Sequence, residues 1–364
     1  MPHIILTVTN DLTYDQRMQR ICTSLAAHGF QVTLAGRKLK NSKPITTQPF
    51  RQRRLSCLVN KTIIFYAFFN IRLFSWLLTE KADIVCAIDL DTILACYFAS
   101  LIKRWKRVYD AHELFTEQKE IMSRPFVYNL WLLLEKYAVP HFPHGYTVND
   151  FIAKELNRRY GVRYGIIMNM PVKTTLPTLP LSKENIIIYQ GAVNEGRSFE
   201  TLIPAMKFVQ AKLLICGEGN FFNQTKELIE EYRVDNKVEL KGMVPPDELK
   251  KMTPTATIAI MLFEQTGLNQ YHSLANRFFD YIMAGIPQVC INYPEYKAIN
   301  DMYDVAYMIE DTKPETIADA FNVLLNDKAL YQKLKTNCLK ARKILNWESE
   351  EKKLLAFYKE LSKQ

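Results

Sequence analysis

The sequence holds few cysteines, and none of them stand in a C-x-x-C pair. Cys22, Cys57, Cys86, Cys96, Cys216, Cys290 and Cys338 are scattered over 364 residues, without Cys/His spacing that suits a metal. No zinc site is expected, and a reducing, cytoplasmic compartment is the natural expectation. A charged leader is also missing. "MPHIILTVTN" starts directly with a strand-like run, so no signal peptide is expected. The most membrane-like segment, "TIIFYAFFNIRLFSWLL" from Thr62 to Leu78, is interrupted by Asn70 and Arg72. It is short for a span, so no transmembrane helix is expected. Low-complexity tracts and short internal repeats are absent too.

What is present belongs to a folded, basic chain. A hydrophobic content of 48%, with 12% aromatic residues, excludes a disordered protein, and the length suits two ordinary domains. The formal charge of +9 favours anionic partners: phosphate-bearing small molecules, acidic membrane surfaces or nucleic acid. No nucleic-acid recognition motif accompanies the charge, and Lys and Arg are spread along the chain, so no nucleic-acid partner is expected.

Apolar strand runs alternate with amphipathic helical runs throughout. "HIILTVT", "QVTLAGR", "ADIVCAID", "RVYDAH", "GYTVN" and "YGIIMNM" read as strands in the first half. "NIIIYQG", "AKLLICGEG", "VELKG", "TIAIMLF", "QVCIN" and "VAYMIE" read as strands in the second. Continuous rather than alternating apolarity suits parallel strands covered on both faces. A Pro-rich stretch, Met170 to Glu184, is the linker candidate. The fold class is therefore α/β: two Rossmann-like, doubly wound domains facing a central cleft. The boundaries fall at 1–170 and 171–346, with a final helix, 347–364, returning to the first domain.

"HSLANRFFDYIMAGIP", His272 to Pro287, carries one carboxylate in an apolar helix signature. Ser273 is the candidate N-cap and Gly285 with Pro287 the stop. Leu274, Phe278, Tyr281 and Ile282 mark the buried face, and Ser273, Asn276 and Asp280 recur at i, i+3 and i+7 on another. Asp280 has two readings, a solvated residue or a carboxylate accepting from ribose hydroxyls behind a phosphate-facing helix start. In "YQGAVNEGRSFETL", Gly191 and Gly196 permit close backbone approach, and Arg197 adds a charge for phosphate. "CGEGN", Cys216 to Asn220, reads equally as a strand-to-helix turn. "DLD", Asp89 to Asp91, has the spacing of a metal pair, but an acceptor-side or helix-capping role for Asp89 is preferred.

Taken in order, "YQGAVNEGR", "CGEG", "VELKGMVPPDELKKM", "SLANRFFDYIMAGIPQV" and "NWESEEKK" resemble the C-terminal half of retaining glycosyltransferases of family GT4, whose fold is GT-B. "TNDLTYDQRMQRICTSLAAHGFQVTLAGR", "YDAHELFTE" and "MNMP" resemble a bacterial branch of the same family. The resemblance implies a hexosyltransferase that takes a nucleotide-sugar donor and a glycan or lipid-linked acceptor, in surface polysaccharide synthesis. Its implied donor site is Gly191, Gly196, Arg197, His272, Ser273, Leu274, Asn276 and Asp280. Arg197 and His112 would be catalytic, and Asp11, Arg17, Asp89 and Glu113 would lie on the acceptor side. No cofactor and no metal are expected.

The sequence departs from the family pattern at three places. His272 stands where many members carry a second Glu. Gly191-Ala192 replaces the common Gly-Arg, leaving Arg197 as the only basic residue of the usual pair. The first loop lacks Gly-Gly, and Arg17 is the candidate to supply positive charge there. The basic-aromatic stretches "RQRRLSCLVNKTIIFYAFFNIRLFSWLL" and "KRWKR" read either as a core helix with charged flanks or as a patch for an anionic membrane, at the inner face of the cell membrane. A nucleotide-sugar epimerase of the same architecture is the alternative, separated by conversion of the donor without acceptor.

Overall fold

Strands that are apolar on both faces must be paired in parallel and covered twice, and both halves of the chain do this. The computed structural model describes residues 1–13, 15–59, 62–176 and 184–363. It divides into one unit of Met1–Asn169 with Glu350–Gln364 and a second of Met170–Ser349. The centre of the Pro-rich linker candidate, 177–183, lies outside the described residues.

In the first unit the strands are β1 (His3–Asp11), β2 (Gln31–Lys38), β3 (Arg51–Ser56), β4 (Ile84–Ile88), β5 (Lys106–Ala111), β6 (His144–Thr147) and β7 (Gly165–Ile166). They form one sheet in the order β3-β2-β1-β4-β5-β6-β7, with every pair parallel. β1 lies in the middle, with Ile4 opposite Val32 on one side and Ile84 on the other. Helix α1 (Gln16–Ala27) begins at Asp15, whose carboxylate accepts from the Met18 N–H at 3.0 Å. The C-terminal helix, Trp347–Lys363, buries Tyr358 here, its hydroxyl 3.4 Å from that of Tyr146.

β3 was not anticipated, because "RQRRLS" reads as the charged flank of the following helix. It is an edge strand, where charged side chains are tolerated and discourage further pairing. Arg54 turns inward to Asp11 at 2.8 Å, and Arg51 pairs with Glu80 at 2.8 Å. Helix α2 (Thr62–Thr79) is long and apolar enough to cross a membrane by length and composition alone. One face, with Phe65, Phe69, Leu73, Trp76 and Leu77, is nonetheless buried in this unit's core, while Ile64 and Ile71 are exposed. Helix α3 (Ile93–Lys103) exposes Phe98, Leu101 and Ile102. Trp105, expected beside the basic patch, is buried.

The second unit repeats the plan. β8 (Ile186–Gln190), β9 (Lys212–Cys216), β10 (Val238–Gly242), β11 (Ile258–Met261), β12 (Gln288–Ile291) and β13 (Ala306–Ile309) form a parallel sheet ordered β10-β9-β8-β11-β12-β13. The helix Asn276–Ala284 buries Phe278, Tyr281 and Ile282 and ends at Gly285 in the left-handed region. Leu274 precedes that helix and is only half-buried.

Candidate active site

In each sheet the winding reverses between two neighbouring strands, and a crevice opens at their carboxyl ends. The reversal falls between β1 and β4 in the first unit and between β8 and β11 in the second. The candidate residues gather at these two points.

In the first unit a cavity of about 750 Å³ opens beside Asn10, Asp89, Asp91, His112, Glu113 and Trp131. His112 is the hub. Its Nδ1 lies 3.2 Å from Asp89 Oδ2, and its backbone N–H donates to Asp89 Oδ1 at 2.9 Å. Arg17, buried at the start of α1, donates from Nη2 to Asp110 Oδ1 at 2.6 Å and from Nε to His112 Nε2 at 2.6 Å. Burial disfavours the charged imidazole, but Asp89 and Asp110 outweigh it and the Arg17 charge, pushing the pKa up to about 10. A pKa that high makes the imidazolium the resting state at neutral pH, with Nδ1–H toward Asp89 and Nε2–H toward Asp110 Oδ2, 3.4 Å away. The Arg17 bond to Nε2 belongs to the neutral ring, and the two states exclude one another. Arg17 Nη1 and Asp110 Oδ2 are buried without a hydrogen-bond partner among the described residues, as polar atoms awaiting a ligand or water are.

Asp89 has φ 55° and ψ 179°, a conformation costing a non-glycine residue about 1–3 kcal/mol. Its N–H bond to Asp110 O at 2.9 Å and its bonds to His112 hold it there. Asp89 precedes a short 3₁₀ turn without capping it, so the capping role expected for it is replaced by the hold on His112. Asp91 accepts from Thr9 Oγ1, and its pKa is pushed up to about 7, by burial first and the Asp89 charge second. Glu113 lines the cavity and accepts from Gln118 Nε2 at 2.5 Å. Asp11 does not line it. Arg54, Ser42 and the Thr13 N–H engage its carboxylate, so its placement on the acceptor side gives way to a role joining β1 and β3.

In the second unit the loop after β8 carries Gly191 at φ 127° and Gly196 at φ 79°. A Cβ on Gly196 would sit 2.9 Å from Gln270 Nε2, which donates to the Gly196 carbonyl. Gly217 of "CGEG" packs on the same loop; a Cβ there would lie 1.9 Å from Gly191 O, so only glycine fits. Arg197 lies over the Phe263 ring, 4.0 Å from its centroid. Asp280 projects toward the end of β8, where its Oδ2 accepts from Gln190 Nε2 at 3.1 Å, while Gln190 Oε1 accepts from Thr253 Oγ1 at 2.7 Å.

The helix start differs from expectation. Its N-cap is Ala275, without a side-chain cap, and Asn276 is the first helical residue. The hydroxyl of Ser273 donates instead to Gln270 O at 2.9 Å, and Tyr296 Oη accepts from the Ala275 N–H at 3.0 Å. A distant tyrosine has thus taken the capping role that Ser273 offers locally. His272 Nδ1 is 3.4 Å from Glu295 Oε1, so a carboxylate from the next helix, Pro294–Tyr303, stands beside the position where the family pattern has Glu.

Sequence reasoning missed Asp110, Gln190, Glu295 and Arg277. Asp110 stands in the quoted "DAHE", two residues before His112, and needed only the strand's register. Arg277 was legible as a lone charge on the helix's apolar side, four residues before Tyr281. Gln190 and Glu295 carried no local signal. Among the described residues no group of three or more His, Cys, Asp or Glu is placed to hold a metal.

Two family models match the chain: Glycosyltransferase Family 4 over residues 16–168, and Glycosyl transferases group 1 over residues 177–341. A poly(glycerol-phosphate) alpha-glucosyltransferase of Bacillus subtilis (strain 168) is 27% identical over 183 residues, 48% of this chain and 25% of that relative's length. The chain therefore matches a quarter of that relative. Among solved structures, sucrose-phosphate synthase of Thermosynechococcus elongatus superposes with a TM-score of 0.83 at 17% identity, covering 99% of both chains. Anabaena HepE in complex with UDP-glucose superposes with a TM-score of 0.75 at 11% identity over 100% of both. With each half matched by its own model and the fold shared end to end, the chain belongs to the group 1, family GT4 glycosyltransferases and has their GT-B architecture.

Proposed function

We propose that this glycosyltransferase moves a hexosyl group from a nucleotide-sugar to a glycan or lipid-linked acceptor, with retention of anomeric configuration, in bacterial surface polysaccharide synthesis. The observation that carries the donor half of the reading is Asp280, held by Gln190 at the carboxyl end of β8, close in the fold to the glycine loop that carries Arg197. A carboxylate there accepts from ribose hydroxyls, while the loop N–H groups and the helix start at Ala275 meet the diphosphate. HepE, a structural neighbour, is seen with UDP-glucose, and another, S. aureus TarM, with UDP, fondaparinux and alpha-GlcNAc-glycerol.

The bond from the anomeric carbon to the diphosphate oxygen breaks as the acceptor oxygen bonds to that carbon on the same face. The acceptor's proton passes to the departing diphosphate. Charge grows on that leaving group through an oxocarbenium-like transition state, and Arg197 neutralises it. His112, fixed by Asp89, presents its ring to the transferred sugar, and the first unit's cavity holds the acceptor. Asp89 is engaged by His112 and Asp91 by Thr9, so the reaction proceeds without a metal, and activity survives EDTA.

The enzyme works at the inner face of the cell membrane. Its exposed Ile64 and Ile71 on α2, with Phe98, Leu101 and Ile102 on α3, stand among Arg72, Lys103 and Arg104. Arg54 belongs to a buried ion pair with Asp11 and Arg51 to a surface pair with Glu80, and Lys61 lies outside the described residues.

A thermal-shift panel of UDP-, GDP-, ADP- and CMP-sugars identifies the donor, since selective binding stabilises the folded state. Transfer from that donor, with the product's anomeric configuration read by NMR, tests the rest. An inverted product removes retention. Conversion of the donor without acceptor makes the protein an epimerase.

A further inference from the structure

Arg17 and Arg277 are both buried to nine-tenths or more. Arg17 has the Asp110 carboxylate at 2.6 Å. Arg277 forms no ion pair among the described residues. Its guanidinium donates from Nη1 to Tyr189 Oη at 2.9 Å, from Nη2 to Leu262 O at 3.3 Å and from Nε to the Met261 sulfur at 3.3 Å. It lies over the rings of Tyr189 and Phe263, 4.6 and 4.7 Å from their centroids. A guanidinium has five N–H bonds, so one on each of Nη1 and Nη2 is left without an acceptor. Aromatic faces and a carbonyl soften the isolation of this charge but do not neutralise it, and a buried cation without a counter-ion is costly.

The position of the charge says what neutralises it. Arg277 sits at the reversal point of the second sheet. A Cβ built on Gly191, the first residue of the loop after β8, would lie 3.2 Å from Arg277 Nη1. Arg197 lies over the same Phe263 ring, so two guanidinium groups converge on one aromatic side chain at the carboxyl edge of β8 and β11. The loop has Ala192 next to Gly191, so Arg197 is its one basic side chain.

We infer that Arg277 is a donor-binding residue that meets the diphosphate of the nucleotide-sugar from beneath the glycine loop, supplying from the helix the second positive charge that the loop lacks. This rests on the donor reading given above and names one more residue in it. The missing Cβ of Gly191 leaves the guanidinium open toward the loop, and the spare N–H bonds on Nη1 and Nη2 suit the paired oxygens of a phosphate.

The test compares UDP, GDP and ADP, and the corresponding nucleosides, by calorimetric titration of the wild type and of Arg277→Gln. For the diphosphate that binds, Arg277→Gln should weaken affinity at least tenfold while the nucleoside's affinity changes less than twofold. Adding Ala192→Arg to that variant should recover part of the loss. Should Arg277→Gln fail to fold, Arg277→Lys carries the comparison: its ammonium lacks the planar fork that meets paired phosphate oxygens, so the diphosphate again loses more than the nucleoside. Equal losses for both ligands, or none, would make Arg277 a packing residue and overturn the inference while leaving the donor reading intact. A wild type that binds none of the three diphosphates overturns both.

Discussion

Replacing Asp280 by alanine separates a donor-binding carboxylate from a solvated one. Thr253 donates to Gln190 Oε1, which forces the Gln190 amide nitrogen toward Asp280 and fixes one carboxylate oxygen. A carboxylate offers about four lone-pair sites, of which the Gln190 bond takes one, and a ribose hydroxyl needs one more. A hydrogen bond to a charged group is worth about 1.5–3 kcal/mol, so Asp280→Ala should weaken the nucleotide by roughly 10- to 150-fold. The fold should tolerate the change. Losing the Gln190 bond costs about 1 kcal/mol, and the better helix propensity of alanine returns roughly half of that, a shift of only about 1–2 °C in Tm. The assay is isothermal titration of the nucleotide and its 2′- and 3′-deoxy analogues into both proteins. The wild type should discriminate against the analogue that lacks the bonded hydroxyl, and Asp280→Ala should not, which isolates the pairwise interaction. A folded Asp280→Ala protein with wild-type affinity would refute the assignment, as would discrimination that persists in the mutant.

Arg197→Ala should lower kcat more than it raises KM, because the leaving-group charge it meets grows toward the transition state; a rise in KM alone would reduce Arg197 to a ground-state contact. Asp91, raised to about 7 in the fold from an ordinary 3.8, binds its proton more tightly folded than unfolded. Its contribution therefore favours the fold at low pH and is lost as pH rises from about 4 to 7. Asp91→Asn, which mimics the protonated acid, should raise Tm at pH 8 and leave it unchanged at pH 4; equal Tm values at pH 8 would contradict the buried, Asp89-facing carboxyl. Three basic residues near an anionic surface contribute about 3 kcal/mol, so the protein should sediment with anionic but not zwitterionic vesicles, weakening with salt. Ile71→Glu with Leu101→Glu should abolish that binding at unchanged Tm, and binding that survives both changes would place the contact elsewhere.

The strand and helix runs of both halves were legible in the chain because each depends on neighbours a few residues away. "HIILTVT" is apolar throughout because both faces of β1 are covered, and Gly285 stops its helix through its own left-handed φ. The motif order that pointed to the family is likewise a property of the linear sequence. β3 escaped notice because an edge strand need not be apolar, and its inward residue, Arg54, is satisfied by Asp11, 43 positions away. What tertiary structure decided was the partner of each polar group. Arg17 and Asp110 are 93 residues apart, Gln190 and Asp280 are 90 apart, and Tyr296 took over the helix start from Ser273. Such choices follow from which strand ends lie side by side. A buried charge accepts whichever donor or counter-charge the sheet order brings within about 3 Å, and that distance has no counterpart in local sequence pattern. Arg277 shows both sides: its charge on an apolar face is written in the sequence, while the lack of a carboxylate around it is visible only in the folded unit.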